Sequence, residues 1–344
     1  MRIRRRLPIV AGVLLVAGAV ALIVFLLKHA PPEPARLLPG ADGFIYFNLR
    51  GIRRANIGQL PQVSHDPEYE KFIQATGFQF ERDLDEAAFA VHYPDPAPGA
   101  SFGAKAEPRY SEVLVGKIQT DRFRQYLRKI SGSVESYGSN DIFSIPLEGR
   151  TLRVAILGVD TVAASNVDDP GVIRGIIDRS RKLASPFAGP ALLRKYYKRI
   201  PIATRYVPFA GLAWAIFRVE PSPAPLDTSP MSLSFLFDKP AVVVASVRAF
   251  SGVHLRVEAF TGSDPDAKHV AEQLSSLLTI FRSTEGHAAS GGSGKSPDPD
   301  LKQFFDSLKV EQNGERAALT ATVPVALIHK ITQTEPAAPA GTKP

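Results

Sequence analysis

Leu7 to Leu27 reads LPIVAGVLLVAGAVALIVFLL, twenty-one residues without a charge. No other stretch narrows the possible folds of this chain so far. At ~1.5 Å per residue, a helix of this length covers ~30 Å, the thickness of a bilayer's hydrocarbon core. Arg2, Arg4, Arg5 and Arg6 precede it, and Lys28 follows. More basic charge on one flank assigns that flank to the cytoplasm. A cleaved signal would need small residues before its cut, whereas Lys28 lies three residues before a cut after Ala30, and Pro31 follows it. The expectation is a cytoplasmic basic segment at 1–6, an uncleaved transmembrane anchor at 7–27 and a domain outside the cytoplasm.

That segment also explains the charge. The chain carries +7 overall, but residues 1–29 hold five basic residues and no acid. The remainder is nearly balanced, which removes the argument for a nucleic-acid partner. There is no cysteine, so disulfides, thiol nucleophiles and cysteine metal sites are excluded. About 300 residues after the anchor are enough for one large domain or two smaller ones.

Residues 28–36 are proline-rich and read as an extended spacer, because proline fixes φ and removes a donor. An α+β domain follows over 37–332: antiparallel sheet with packed helices. Strands are expected at Phe44–Phe47, Ala87–Tyr93, Tyr110–Val115, between Val134 and Ser165, and at Ala210–Val219. Asp-Pro pairs begin at 66, 169, 264 and 298, where an aspartate cap and a proline in the first turn open helices. Further helices are expected from Thr120, Ala191 and Pro324. In Ala241–Thr261 a three-residue loop, Phe250–Gly252, pairs Ala249 with Val253, Val247 with Leu255 and Ala245 with Val257. A turn at Asn313-Gly314 pairs Glu311 with Arg316 and Val310 with Ala317. Ser283–Pro297 reads as a connector, and 333–344 as a disordered tail.

Two blocks, 151–219 and 241–323, share the order hairpin, Asp-Pro helix, second helix, strand, which suggests a tandem repeat. The single span, the Leu38-Pro39-x-Ala41-Asp42 turn into Phe44–Phe47, and the helix–hairpin of Asp298–Val323 resemble a group of bacterial envelope proteins. These are membrane-anchored and carry a domain of unknown function. The resemblance implies an inner-membrane, single-pass protein with a periplasmic domain. It implies no activity and carries over no catalytic residue.

Motifs for chemistry fail one by one. Gly294-Lys295-Ser296 ends like a phosphate-binding loop, but Ala289 stands where the pattern needs glycine and Pro297 follows. The seven histidines show no metal-binding spacing and read as surface residues. Glu81, Asp83, Asp85 and Glu86 cluster before a strand; paired carboxylates can do acid–base work, but a hydrated turn is the commoner outcome. Ser-x-x-Lys does not occur. No cofactor is indicated.

One charge asymmetry remains. From Arg174 to Arg205 there are nine basic residues and one acid, Asp178. Arg194, Lys195, Lys198 and Arg199 stand opposite the leucine and tyrosine side of their helix, a face suited to anionic lipid or an acidic envelope polymer. The expectation is a non-enzymatic binding or scaffold module with an envelope protein partner. The alternatives are a hydrolase with a dispersed site or a carrier of lipid or another apolar ligand.

Overall fold

The computed structural model describes residues 30–55, 65–94, 107–147, 149–181, 189–201, 211–221, 234–250, 252–288 and 299–333. Twelve strands among them form one antiparallel sheet. They are β1 (Gly43–Asn48), β2 (Leu84–His92), β3 (Arg109–Gly116), β4 (Ser133–Tyr137), β5 (Asn140–Leu147), β6 (Arg150–Ile156), β7 (Thr161–Ser165), β8 (Gly211–Val219), β9 (Ala241–Ala249), β10 (Val253–Phe260), β11 (Lys309–Asn313) and β12 (Arg316–Val323). Their spatial order is β11-β12-β10-β9-β8-β1-β2-β3-β7-β6-β5-β4.

The α+β class with antiparallel sheet is what the chain adopts, but the transmembrane helix attached to that expectation is corrected. No helix of the described residues is long and apolar enough to cross a membrane. Leu7–Leu27, on which the span fell, lie outside those residues. The single-pass inner-membrane placement, the cytoplasmic N-terminus and the membrane as a spanning partner rested on that helix and fall with it.

The order of the strands has a simple logic. Each half of the chain starts with a meander, β1-β2-β3 and β8-β9-β10. Each then makes a helical excursion whose last strand, β7 or β12, returns to pair with the meander's third strand. The halves meet where β1 pairs with β8, Ile45 opposite Ala215. In block 241–323 the closing strand β12 lies beside β10, whereas in block 151–219 the closing strand β8 lies beside β1 and β9, away from β7.

Side chains alternate across a strand, so the sheet has two faces. The first face carries Phe44 and Tyr46 of β1 and Trp214 and Ile216 of β8. Helices α1 (Glu33–Leu37), α6 (Gly171–Arg181) and α7 (Ala191–Tyr196) contribute to the main core there. Ile173, Ile176 and Ile177 of α6 are fully buried in it. Each such side chain is worth about 1.5–3 kcal/mol of transfer free energy. Residues 28–36 are therefore no spacer over their described part. Pro32 precedes the first turn of α1, where a missing N–H costs nothing, and Ala35, Leu37 and Leu38 are buried in this core.

The second face is covered at its two ends. Helices α2 (Leu49–Ala55), α3 (Pro67–Thr76), α4 (Phe80–Asp83) and α5 (Thr120–Ile130) bring side chains such as Leu49, Phe72 and Leu127 to clusters with β2, β3, β5, β6 and β7. At the opposite end, α8 (Asp264–Ala288) packs Val270 and Ala271 with Val243, Ala259 and Ala317. Asp66 caps α3 by accepting from the Glu68 and Tyr69 N–H groups, and Gly77 ends it at φ +71°. The α8 helix runs through Ala288, so the connector expected from Ser283 begins later. Helices α9 (Pro299–Ser307) and α10 (Val325–Gln333) flank the β11–β12 hairpin in sequence.

Candidate functional site

The four basic residues singled out in the sequence do share a surface. Helix α7 continues into a 3-10 turn at Tyr197–Arg199. Leu193, Tyr197 and Ile200 are buried beneath it, while Arg194, Lys195, Lys198 and Arg199 are exposed. The Lys195 ammonium lies over the Tyr196 ring at 5.3 Å and the Arg199 guanidinium over Phe260 at 5.4 Å. The wider basic stretch is not one surface. Arg174 donates to Glu135, Arg181 holds the turn at Tyr137–Asn140, and Arg179 is folded inward to the Leu37 carbonyl. Burial holds the Arg179 pKa below its usual range. Lys182 and Arg205 lie outside the described residues.

The acidic cluster is divided among separate partners. Arg82 bonds Asp83, and Arg50 and Arg53 bond Asp85. These bonds from arginine, chiefly Arg82 and Arg50, hold the two carboxyls below the usual range despite burial. Glu81 accepts from Tyr69 and meets His65 at 2.9 Å. Glu86 lies on the other face, where burial raises its pKa although Tyr46 donates to it. An open cleft of about 550 Å³ borders this region, lined by Arg50, Arg82, Asp83, Asp85, Lys117 and Asp160 among others. Its arginines and the two buried aspartates already neutralise one another, so no carboxylate pair is left poised for acid–base work.

His92 and Ser111 make a serine–histidine contact, Nε2 to Oγ at 3.2 Å, and Ser111 meets Ser165 at 2.9 Å. Ser111 is 0% exposed and Ser165 2%, so no substrate reaches either hydroxyl. The chain of polar contacts ties β2, β3 and β7 together, and burial lowers the His92 pKa. His65, read from sequence as an isolated surface residue, instead bridges Glu70 and Glu81. His254 is half-buried against Thr322. Among the described residues, no group of three His, Asp or Glu side chains could hold a metal ion. The Gly294-Lys295-Ser296 segment lies outside the described residues.

The feature that sequence reading missed is the middle of the second face. Strand register aligns one row of side chains across the sheet: Ala164, Glu112, Phe89, Ile45, Ala215, Ala245, Val257 and Leu319. The row on one side runs Val162, Leu114, Ala87, Phe47, Ala213, Val247, Leu255, Ala321. On the other side it runs Tyr110, Val91, Gly43, Phe217, Val243, Ala259, Ala317. Between the two helix groups these rows stay partly open to solvent. Ile45, Phe89, Ala213, Ala215 and Phe217 are only half-buried, and Phe47 is 36% exposed. Glu112 is the one charged residue in the three rows. The Phe217 ring lies directly over Gly43, where a Cβ would come within 2.2 Å of it.

No family model matches the chain, and no curated protein matches it. It is similar to solved structures of TP0453. Crystal form III has 9% identity and a TM-score of 0.43, covering 87% of this chain and 99% of that one. Crystal form IV has 8% identity and a TM-score of 0.44, covering 88% and 98%. Crystal form I has 7% identity and a TM-score of 0.41, again covering 88% and 98%.

Proposed function

We propose that the protein is a non-enzymatic envelope module that binds a lipid or similar apolar ligand on the second face of its sheet. The observation that carries this reading is the apolar strip of β2, β1, β8 and β9, left half-buried between α2–α5 and α8. An apolar surface of this kind lowers its free energy by taking up an apolar partner, at roughly 25 cal/mol per Å² covered. The envelope setting rests on the likeness of Leu38–Phe47 and Asp298–Val323 to envelope proteins.

The test is uptake of Nile red, a neutral dye that fluoresces in apolar surroundings, by the full chain. Ala215 is central in the strip, and Ala215→Lys sets an ammonium there. The dye's affinity should fall at least tenfold, with the Trp214 near-ultraviolet dichroism unchanged. Equal dye binding by both proteins refutes the reading.

A second reading concerns the opposite side of the molecule. The exposed set Arg194, Lys195, Lys198 and Arg199 suits an anionic lipid or acidic polymer surface, at roughly 1 kcal/mol per basic residue. Flotation of the chain lacking its first 29 residues, which keeps α1 whole, compares vesicles with and without anionic lipid. Lys195, Lys198 and Arg199 replaced by serine should abolish any preference for the anionic vesicles. Absence of a preference in the unsubstituted protein refutes this reading.

A further inference from the structure

The other buried or part-buried acids borne by the sheet are answered by a donor. Glu86 accepts from Tyr46, and Glu258 accepts from both Arg256 and Arg316. Asp85 is held by Arg50 and Arg53. Glu112 differs: among the described residues no hydrogen bond or ion pair reaches its half-buried carboxyl. Register sets it opposite Phe89 on β2 and Ala164 on β7, with Tyr110 and Leu114 two residues away on the same face. A carboxylate in such a place is unfavourable and invites a cation. Sequence alternation alone would put an apolar residue there, as it does at every other position of that row.

We infer that Glu112 is the counter-ion for the ligand's head group, and that the ligand is an amphiphile carrying a protonated amine. This rests on the reading of the apolar strip given above. The row supplies the geometry. The ammonium meets the Glu112 carboxylate at β3, and the hydrocarbon chain runs across Phe89, Ile45 and Ala215 toward β9. Four interstrand steps of ~4.8 Å make that track about 19 Å long, suited to a lipid chain. A protonated amine neutralises the carboxylate and donates a hydrogen bond to it, whereas an anionic head group would meet like charge in a poorly solvated setting.

Displacement of bound Nile red by dodecylamine and by dodecanoate tests the inference below the concentrations at which either aggregates. The amine should displace the dye at a concentration at least tenfold lower than the acid. Glu112→Gln should retain dye binding and lose that advantage, and Glu112→Asp, which keeps the charge, should retain part of it. Equal displacement by both amphiphiles, or an advantage that survives Glu112→Gln, overturns the inference and leaves the apolar strip intact as a binding surface. Dye binding that is indifferent to Ala215→Lys overturns both. If Glu112→Gln does not fold, the loss or retention of the amine advantage in Glu112→Asp and the wild type decides: no advantage in either overturns the inference.

Discussion

Replacing Glu112 by leucine should make the protein more stable. The carboxyl stands half-buried in an apolar row with no partner among the described residues, and burial alone raises its pKa. An unpartnered polar group in protein surroundings costs ~1–3 kcal/mol. Half-burial trims this to about 1–2 kcal/mol. Leucine adds a favourable contribution of about 1 kcal/mol through contact with Phe89 and Ala164. With a urea slope near 3 kcal/mol per M, a gain of 2 kcal/mol moves the unfolding midpoint up by about 0.7 M. The pH dependence has a definite sign. A folded-state pKa above the unfolded value means that the native protein binds the proton more readily. The penalty on the wild type is therefore smallest below the unfolded glutamate pKa of ~4.3 and grows as pH rises through the raised folded value. Urea titrations at pH 4 and pH 7.5 should show a larger advantage for Glu112→Leu at pH 7.5. A leucine variant less stable than wild type, or an advantage equal at the two pH values, would show that the carboxyl is already satisfied.

Two further outcomes concern the helical end of the second face. His65 hydrogen-bonds Glu81 and Glu70, and these contacts raise its pKa. Their stabilisation is full below the unfolded histidine pKa of ~6.5 and is lost as pH rises through the folded one; His65→Gln should lower Tm at pH 6 and leave it unchanged at pH 9, and equal effects at both would refute the ionic contribution. At Gly116, an added Cβ would lie 2.5 Å from the Asp83 carbonyl, a backbone atom that cannot swing aside, whereas at Gly40 it meets nothing within 4 Å. Gly116→Ala should therefore cost about 1–3 kcal/mol in urea unfolding, with Gly40→Ala near neutral, and similar stabilities for the two would contradict this packing.

Local chemistry made part of this fold legible. The Phe250–Gly252 loop set the β9–β10 register correctly, Ala249 with Val253 and Ala245 with Val257, because only that register brings apolar side chains together. The β11–β12 register differed. Gly314, at φ +56°, is the first of the two turn residues rather than the second, so Asn313 pairs with Arg316 and Val310 with Leu319. The proline-rich start was misread because proline before and within a first turn looks the same as proline in an extended spacer, and only Ala35, Leu37 and Leu38 give the helix a core to join. The exposure of the basic residues in α7 and its following turn was legible because helical periodicity separates Leu193 and Tyr197 from Lys195 and Lys198. The open strip was harder. Segments such as Phe44–Phe47 and Leu212–Phe217 are apolar on both faces, which reads as burial on both sides. Whether a helix covers each face depends on tertiary placement that periodicity does not encode. Glu112 was visible as a lone charge in a run of strand residues, but its isolation emerged only from the neighbouring strands.

The seam between β1 and β8 has a consequence for biosynthesis. Asn48 bonds the carbonyl of Gly211, a partner 163 residues later in the chain. At 5–20 residues per second, a ribosome needs roughly 8–30 s to bridge that interval. Once β2 has been made it can cover one flank of β1, but the hydrogen-bonding edge that β8 takes stays open until β8 is made. A nascent chain with such an edge can pair with its own neighbours on the polysome, so the yield of folded protein should depend on how quickly translation delivers β8.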